Sequence, residues 1–323
     1  MTEYFEIKNL SVGFRTFEGI RPVLNIENLK IGRGETYGLV GESGAGKTVL
    51  ALTILGLLPK PAGIIHGGEI WFDGQDLLKK TDQELYEHYR GKRITMIFQD
   101  PMSTLNPVFT VGEQMGRTIE KHQHLKGQAN TQKALEMLDV VKLPDATRML
   151  GKYPHELSGG QRQRVIIAIA LSCGSEFLIA DEPTRNLDVT IQAGILKLID
   201  ELQKEFRMSV LFIANNVGLV NIVCKNAGIL YKGKIVEDGP SRLVIHSAKH
   251  PYTNTLISAI PQDKSEKLKF ANIMTKPDAP EGCPYYPYCP IAVDDCARSV
   301  PMLRQIHGEQ SVACFLANGG SHD

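Results

Sequence analysis

Apolar and polar positions alternate in short blocks over the first forty residues, then switch period. Tyr4-Phe5-Glu6-Ile7 and Leu10-Ser11-Val12-Gly13-Phe14 are short and β-favouring, and Thr36-Tyr37-Gly38-Leu39-Val40 reads as a buried strand entered through a turn at Gly34-Glu35. A Gly-rich loop follows, then a helical pattern over residues 48–58. Residues 68–98 predict further strands, ending in Ile94-Thr95-Met96-Ile97-Phe98, and residues 110–155 predict mostly helix of a more polar kind. Residues 157–172 read as a loop entering a helix. Phe177-Leu178-Ile179-Ala180 and Val210-Leu211-Phe212-Ile213 are apolar runs bounded by polar residues, as buried parallel strands are. Strands alternating with helices imply the α/β class, with a mostly parallel sheet covered on both faces. After about residue 245 the chain turns rich in Pro, Tyr and Cys, so a boundary is expected there, dividing 1–245 from 246–323. There is no internal repeat and no low-complexity tract.

Composition narrows the class. The chain has 323 residues, 42% hydrophobic and 22% charged, which is ordinary for a folded protein. Lys+Arg and Asp+Glu both number 36, and this neutrality counts against a nucleic-acid binder. The most apolar run, residues 49–59, is broken by Thr53 and far shorter than a membrane span. The start, Met1-Thr2-Glu3-Tyr4-Phe5-Glu6, is acidic and lacks the basic-then-apolar order of a secretory leader. The expectation is a cytosolic chain whose membrane role, if any, comes through partners.

Chemistry concentrates at three places. Gly41-Glu42-Ser43-Gly44-Ala45-Gly46-Lys47-Thr48, followed by Val49, fits the G-x-x-x-x-G-K-[ST] pattern between a strand and a helix. Its glycines let backbone N–H groups approach phosphate oxygens, and the helix adds its positive end. Lys47 is expected on the outer phosphates of ATP and the Thr48 hydroxyl on Mg²⁺. The strand Phe177–Ala180 runs into Asp181 and Glu182. Asp181 suits Mg²⁺ through water, and Glu182 suits a general base for attacking water. The third place is Leu157-Ser158-Gly159-Gly160-Gln161-Arg162-Gln163-Arg164, where small residues open a helix as a second anion site.

That last segment resembles the signature motif of ATP-binding cassette proteins. The resemblance implies a RecA-like core with a mixed or parallel sheet, an N-terminal antiparallel β-subdomain, and a helical signature subdomain over about 105–170. It implies that Leu157, Ser158, Gly159, Gly160 and Gln161 hold ATP bound by an opposing cassette. Gln99 resembles the glutamine that touches Mg²⁺ and links to membrane helices, and Asp188 the loop aspartate at the dimer seam. Asp100-Pro101-Met102-Ser103-Thr104-Leu105-Asn106-Pro107 resembles the peptide-importer form of that loop. Phe14 lies where the family stacks an aromatic on adenine, with Phe17 as a rival. His250-Pro251-Tyr252-Thr253-Asn254-Thr255-Leu256 and Ala259-Ile260-Pro261 resemble the end of dipeptide and oligopeptide importer ATPases. Expected partners are a second cassette, two membrane permeases at the inner face of the cell membrane and, indirectly, an extracytoplasmic solute-binding protein. Nickel or other small-solute importers are the alternative cargo reading. A DNA-repair or translation cassette, or a regulatory one with little turnover, are the alternatives of another class.

Two features depart from the pattern. Where the family has histidine after Leu211-Phe212-Ile213, this chain has Asn215, which donates a hydrogen bond but carries no proton near neutral pH. Asn216 replaces a carboxylate, and Arg185-Asn186 replaces small residues. Either this chain's own site is slow and a partner's is active, or Asn215 suffices beside Glu182. Cys283, Cys289, Cys296 and Cys314 form the other feature, in a loop-like stretch with Gly282, Pro284, Pro287 and Pro290. Four thiolates suit zinc or an iron–sulfur cluster, with free or partly paired thiols as the plain alternative, and their spacing does not choose. The resemblance to peptide-importer ATPases favours a [4Fe–4S] cluster. Cys173 and Cys224 read as buried small hydrophobes.

Overall fold

A computed structural model describes residues 4–259, 276–277 and 279–317; Ile260 and Pro261 of the tail motif lie outside the described residues. In chain order the strands are β1 (Phe5–Thr16), β2 (Gly19–Ile31), β3 (Thr36–Val40), β4 (Gly63–Phe72), β5 (Gln75–Asp76), β6 (Ile94–Ile97), β7 (Phe177–Asp181), β8 (Ser209–Ala214), β9 (Asn226–Tyr231), β10 (Lys234–Pro240), β11 (Arg304–His307) and β12 (Gln310–Val312). Among the described residues no helix is long and apolar enough to cross a membrane. The chain divides into two compact units.

The first unit draws on Met1–Ile31, Thr36–Asp76 and Ala214–Asp323. It holds an antiparallel sheet in the order β2-β1-β4-β5, and the strand run β11-β12-β10-β9-β3. In that run β3 and β9 are parallel, Leu39 facing Gly228, while β10 and β12 add on antiparallel. The mixed directions follow from the chemistry of the connections. A tight turn at Lys232-Gly233 joins β9 to β10, whereas parallel partners need a long crossover. The two expected strands at residues 4–7 and 10–14 are one continuous strand. Asn9 takes φ 47°, which Asn tolerates, and the ladder to β4 shifts between Lys8 and Ser11. The predicted helix over 48–58 is shorter, Lys47–Ile54, because Leu55 caps it and Gly56 follows at φ 63°.

The second unit draws on Gly32–Glu35 and Leu77–Ile213. Its strands β6, β7 and β8 are parallel, with Ile179 of β7 between Met96 and Leu211. β7 and β8 are buried throughout, as unbroken apolar runs require. Helices Val111–Gln123, Gly127–Val140, Ala146–Leu150 and Gly159–Leu171 fill the stretch predicted to be helical. Residues 77–89, where the sequence predicts strands, coil into helical turns instead. Thr81 caps Asp82–Glu84: its hydroxyl accepts from the Glu84 N–H at 3.2 Å while Glu84 accepts from the Thr81 N–H at 2.8 Å. This reciprocal pair closes the turn locally and outweighs the neighbouring strand pattern.

A buried carboxylate anchors the tail in the first unit. Glu237 of β10 is 0% exposed and accepts from the N–H groups of Lys249 and His250 and from Gln310 Nε2, at 2.8, 3.0 and 2.7 Å. His250 then caps the helix Pro251–Ser258, its Nδ1 accepting from the Tyr252 N–H at 3.1 Å. Burial holds the His250 imidazole down to about 4, whereas an unfolded histidine protonates near 6.5. Between those values the unfolded state binds more protons, so this residue's contribution to stability falls as acid is added, by on the order of 3 kcal/mol in full. Glu237 works the other way, since burial raises its carboxyl and ionisation above that raised value costs the folded state. Asn is a good helix cap that does not titrate. Urea unfolding from pH 7 to 4.5 is therefore expected to show a smaller acid loss in His250→Asn than in the parent. Equal losses would mean that the imidazole is not their source.

Candidate functional site

The loop over residues 41–48 sits between β3 and the helix Lys47–Ile54 in the first unit. Gly46 caps that helix at φ 110°, and a Cβ there would meet Leu24 Cδ2 at 2.6 Å. A Cβ on Gly41 would meet the Leu230 carbonyl at 2.3 Å. Side chains at either position would break the loop's path, which is why the motif needs glycine there. Lys47 is 5% exposed, and its Nζ donates to Gly41 O at 2.7 Å, Glu42 O at 2.9 Å and Asn215 Oδ1 at 2.7 Å. Gly41 N–H reaches Ala214 O at 3.4 Å, so residues 214 and 215, which belong to the same unit as the loop, are joined to it at two points. Glu42, Ser43, Gly44 and Thr48 are exposed, and Ala45 is buried. The loop therefore presents backbone and a hydroxyl outward while its ammonium is tied beneath. Asn215, expected beside a terminal phosphate, has its Oδ1 on the Lys47 ammonium. Phe14 is half-buried within the β1 ladder, opposite Arg21 and Gly63, whereas Phe17 is fully exposed beyond the strand's end.

The second unit carries the other predicted residues. Asp181 ends β7 and is 1% exposed. Glu182 follows at φ 46°, its N–H donating to Ile213 O at 3.0 Å. A carboxylate residue in the left-handed region is strained, and strain of this kind concentrates where a side chain must be aimed. Arg185 Nη1 lies 3.4 Å from Glu182 Oε2, and the Arg185 N–H donates to Glu182 O at 3.0 Å. The unusual arginine is thus folded back on the candidate base, a pairing that sequence reading did not foresee. Asp188 caps the helix Val189–Phe206, accepting from the Ile191 N–H at 3.0 Å. Gln99 is half-buried just after β6, before the Asp100-capped turn Pro101–Thr104. Ser158 caps the helix Gly159–Leu171, its Oγ accepting from the Gln161 N–H at 3.3 Å while Gln161 Oε1 accepts from the Ser158 N–H at 3.0 Å. Leu157 is buried and its carbonyl is held by the Arg162 guanidinium at 3.0 Å. Within this unit Gln99 and Asp181 offer an amide oxygen and a carboxylate, hard oxygen ligands of the kind Mg²⁺ takes.

The tail cysteines gather but do not form a single-ion site. Cys283, Cys289, Cys296 and Cys314 line one pocket with Tyr286, Ile291 and Phe315. The Cys283 N–H donates to Cys296 O at 2.7 Å. Burial, with the neighbouring thiols adding, pushes the Cys283 thiol up to about 11. Among the described residues no group of three or more His, Cys, Asp or Glu is placed to hold a metal ion. The expectation of a metal centre formed by these four residues is corrected to that extent: the thiols converge, yet are not arranged around one ion. Cys173 and Cys224 are buried, as their apolar surroundings predict.

Residues 24–185 match the ABC transporter family, and residues 236–296 match the oligopeptide/dipeptide transporter C-terminal region. The oligopeptide transport ATP-binding protein OppD of Salmonella typhimurium is 40% identical over 314 residues, covering 96% of this chain and 92% of its own. The dipeptide transport ATP-binding protein DppD of Bacillus subtilis is 38% identical over 320 residues, covering 98% and 95%. The dimeric structure of MJ0796, a bacterial ABC transporter cassette, is similar at TM-score 0.64 and 29% identity, over 74% of this chain and 99% of that one.

Proposed function

This chain belongs to the ABC transporter family as an ATP-binding subunit of its peptide-import branch, and from that premise we propose how its residues divide the work. The observation that carries the reading is the buried Lys47 side chain, its ammonium held by the carbonyls of Gly41 and Glu42 beneath the exposed residues 42–44. Triphosphate oxygens fit over residues 42–48, and Lys47 exchanges an amide oxygen for a phosphate oxygen. Thr48, Asp181 and Gln99 are the ligands for Mg²⁺, which when bound supplies charge neutralisation of the phosphates. Glu182 orients and deprotonates the attacking water. Ser158, Gly159, Gly160 and Gln161, with Asp188, face the nucleotide of a second cassette. Residues 1–245 form the cassette, with 105–170 as its signature subdomain, and 246–323 the extension. Two permeases seat the pair at the inner membrane face near the Gln99 loop, and a solute-binding protein delivers di- or oligopeptides. ATPase activity of the assembled transporter, raised by peptide-loaded binding protein, tests this; an assembly indifferent to peptide would refute the cargo.

The site built from Lys47, Asp181 and Glu182 turns over slowly, and the second cassette differs from this one. Asn215 supports that reading: its Oδ1 binds the lysine, and it has no proton to exchange near neutral pH. Asn215→His is expected to raise phosphate release in the assembled complex by about tenfold, a fraction of the 10²–10⁴ that a positioned acid–base group contributes. An unchanged rate would leave asparagine sufficient and remove the case for unequal sites.

The four tail thiols hold a [4Fe–4S] cluster rather than zinc. Their sharing of one pocket supports a four-thiolate group. Such a cluster staples a loop that has little apolar material of its own. Iron and sulfide analysis of anaerobically purified protein tests this, and zinc without sulfide would overturn it.

A further inference from the structure

Tyrosines from three stretches of the chain meet beside the phosphate loop. Tyr231 closes β9, Tyr252 opens the helix Pro251–Ser258, and Tyr285 follows Cys283 by two residues. Tyr231 and Tyr252 ring centroids are 4.3 Å apart, Tyr252 and Tyr285 5.5 Å, and Tyr231 meets Tyr285 edge-on at 5.3 Å. The Tyr285 and Thr255 hydroxyls are 2.9 Å apart. Tyr252 is 1% exposed, and its hydroxyl accepts the Glu42 N–H at 3.2 Å. With Tyr288, Lys232 and residues 42–45 these rings line a cavity of about 410 Å³.

We propose that Tyr252 is a positioning residue for the phosphate loop, and that the cysteine tail, through Tyr285, sets how tightly that loop holds nucleotide. This rests on the reading of residues 41–48 as the ATP site. Glu42, Ser43 and Gly44 are exposed, and few bonds within the loop fix their N–H groups. Tyr252 restrains the loop from outside, and a loop fixed before binding loses less freedom when phosphate arrives. The buried Tyr252 ring packs against Tyr231 and Tyr285, so its hydroxyl has one place to stand. Tyr285 is fixed in turn by Thr255 and by the backbone bond between Cys283 and Cys296. Coupling of this kind is reciprocal: what the tail does to nucleotide, nucleotide does to the tail.

Tyr252→Phe keeps the ring and removes only the hydroxyl. In the full chain its affinity for a fluorescent Mg·ATP analogue is expected to fall about two- to tenfold, the range of one neutral hydrogen bond, with the fold retained by circular dichroism. A non-hydrolysable ATP analogue is expected to slow amide exchange over residues 283–289 in the parent and to lose that effect in the variant. Unaltered affinity in Tyr252→Phe overturns the proposal, as does tail exchange that ignores nucleotide in the parent. Should Tyr252→Phe fail to fold, Tyr285→Phe decides: it leaves the Glu42 bond in place and releases the ring from Thr255, and an affinity equal to the parent's refutes the link. A parent that binds no Mg·ATP would instead overturn the ATP-site reading.

Discussion

Lys47→Ala is expected to weaken Mg·ATP binding by about a hundredfold or more, the scale of losing a buried charged contact, and to abolish uptake by the assembled transporter. Lys47 is 5% exposed and its ammonium is already held by Gly41 O, Glu42 O and Asn215 Oδ1, so it enters the complex with little further desolvation. Alanine removes the charge meant for the outer phosphates. It also strips a shared donor from carbonyls that close the loop, so the empty loop itself is loosened. Equilibrium binding on the purified chain separates loss of nucleotide from loss of coupling, and uptake in vesicles reads the consequence. Parent-like binding in Lys47→Ala would mean that the loop is not where triphosphate sits.

Gly159→Asp is expected to lower the ATPase rate of the assembled transporter by about a hundredfold, since a like-charge contact costs several kcal/mol, while leaving this chain's own nucleotide affinity unchanged. The helix Gly159–Leu171 opens with Ser158 as cap, and its first N–H groups and positive end attract an anion. An aspartate there places a carboxylate where the opposing cassette's phosphate is to lie. A Cβ at residue 159 meets only Leu187 Cδ2 at 3.2 Å, the end of a movable side chain. At Gly160 it would meet Ile191 Cγ2 at 2.9 Å, so residue 159 is the cleaner place to test charge without repacking. Retained turnover would show that this helix start faces no nucleotide. The contrast between the two variants, one losing its own nucleotide and the other not, tests the in-trans arrangement itself.

What was legible from sequence was whatever depends on neighbours along the chain. The phosphate loop, the Ser158 cap and the strand ending at Asp181 are each written within about eight residues. Residues 77–89 were legible too, because Thr81 and Glu84 spell a capping box; the strand expectation gave too little weight to that pair. β2 also had a signal, with Leu24 and Ile26 alternating with Asn25 and Glu27. The Lys47–Asn215 bond joins residues 168 apart, and the Glu42–Tyr252 bond residues 210 apart, and no local pattern encodes either. Arg185 is visible in the sequence as an odd residue, yet its pairing with Glu182 depends on the turn over residues 182–185, closed by the Arg185 N–H on Glu182 O, which composition does not give. Tyr252 is legible as part of the His250–Leu256 motif and Tyr285 only as composition, since aromatic residues amid prolines do not announce which surface they cover.

The addition of β12 to β10 carries a consequence for any shortened form of this chain. β10 has β9 on one side and takes β12 on the other through Glu237 and Asp238. Cutting near residue 245 would bare the main-chain groups of β10 around residues 236–238, a short open edge on which a foreign strand can add. It would also strip Glu237 of Gln310 and of the amides at 249 and 250, leaving a once-sealed carboxylate half in water. A chain ending near residue 245 is therefore expected to self-associate, which light scattering on the shortened form would read.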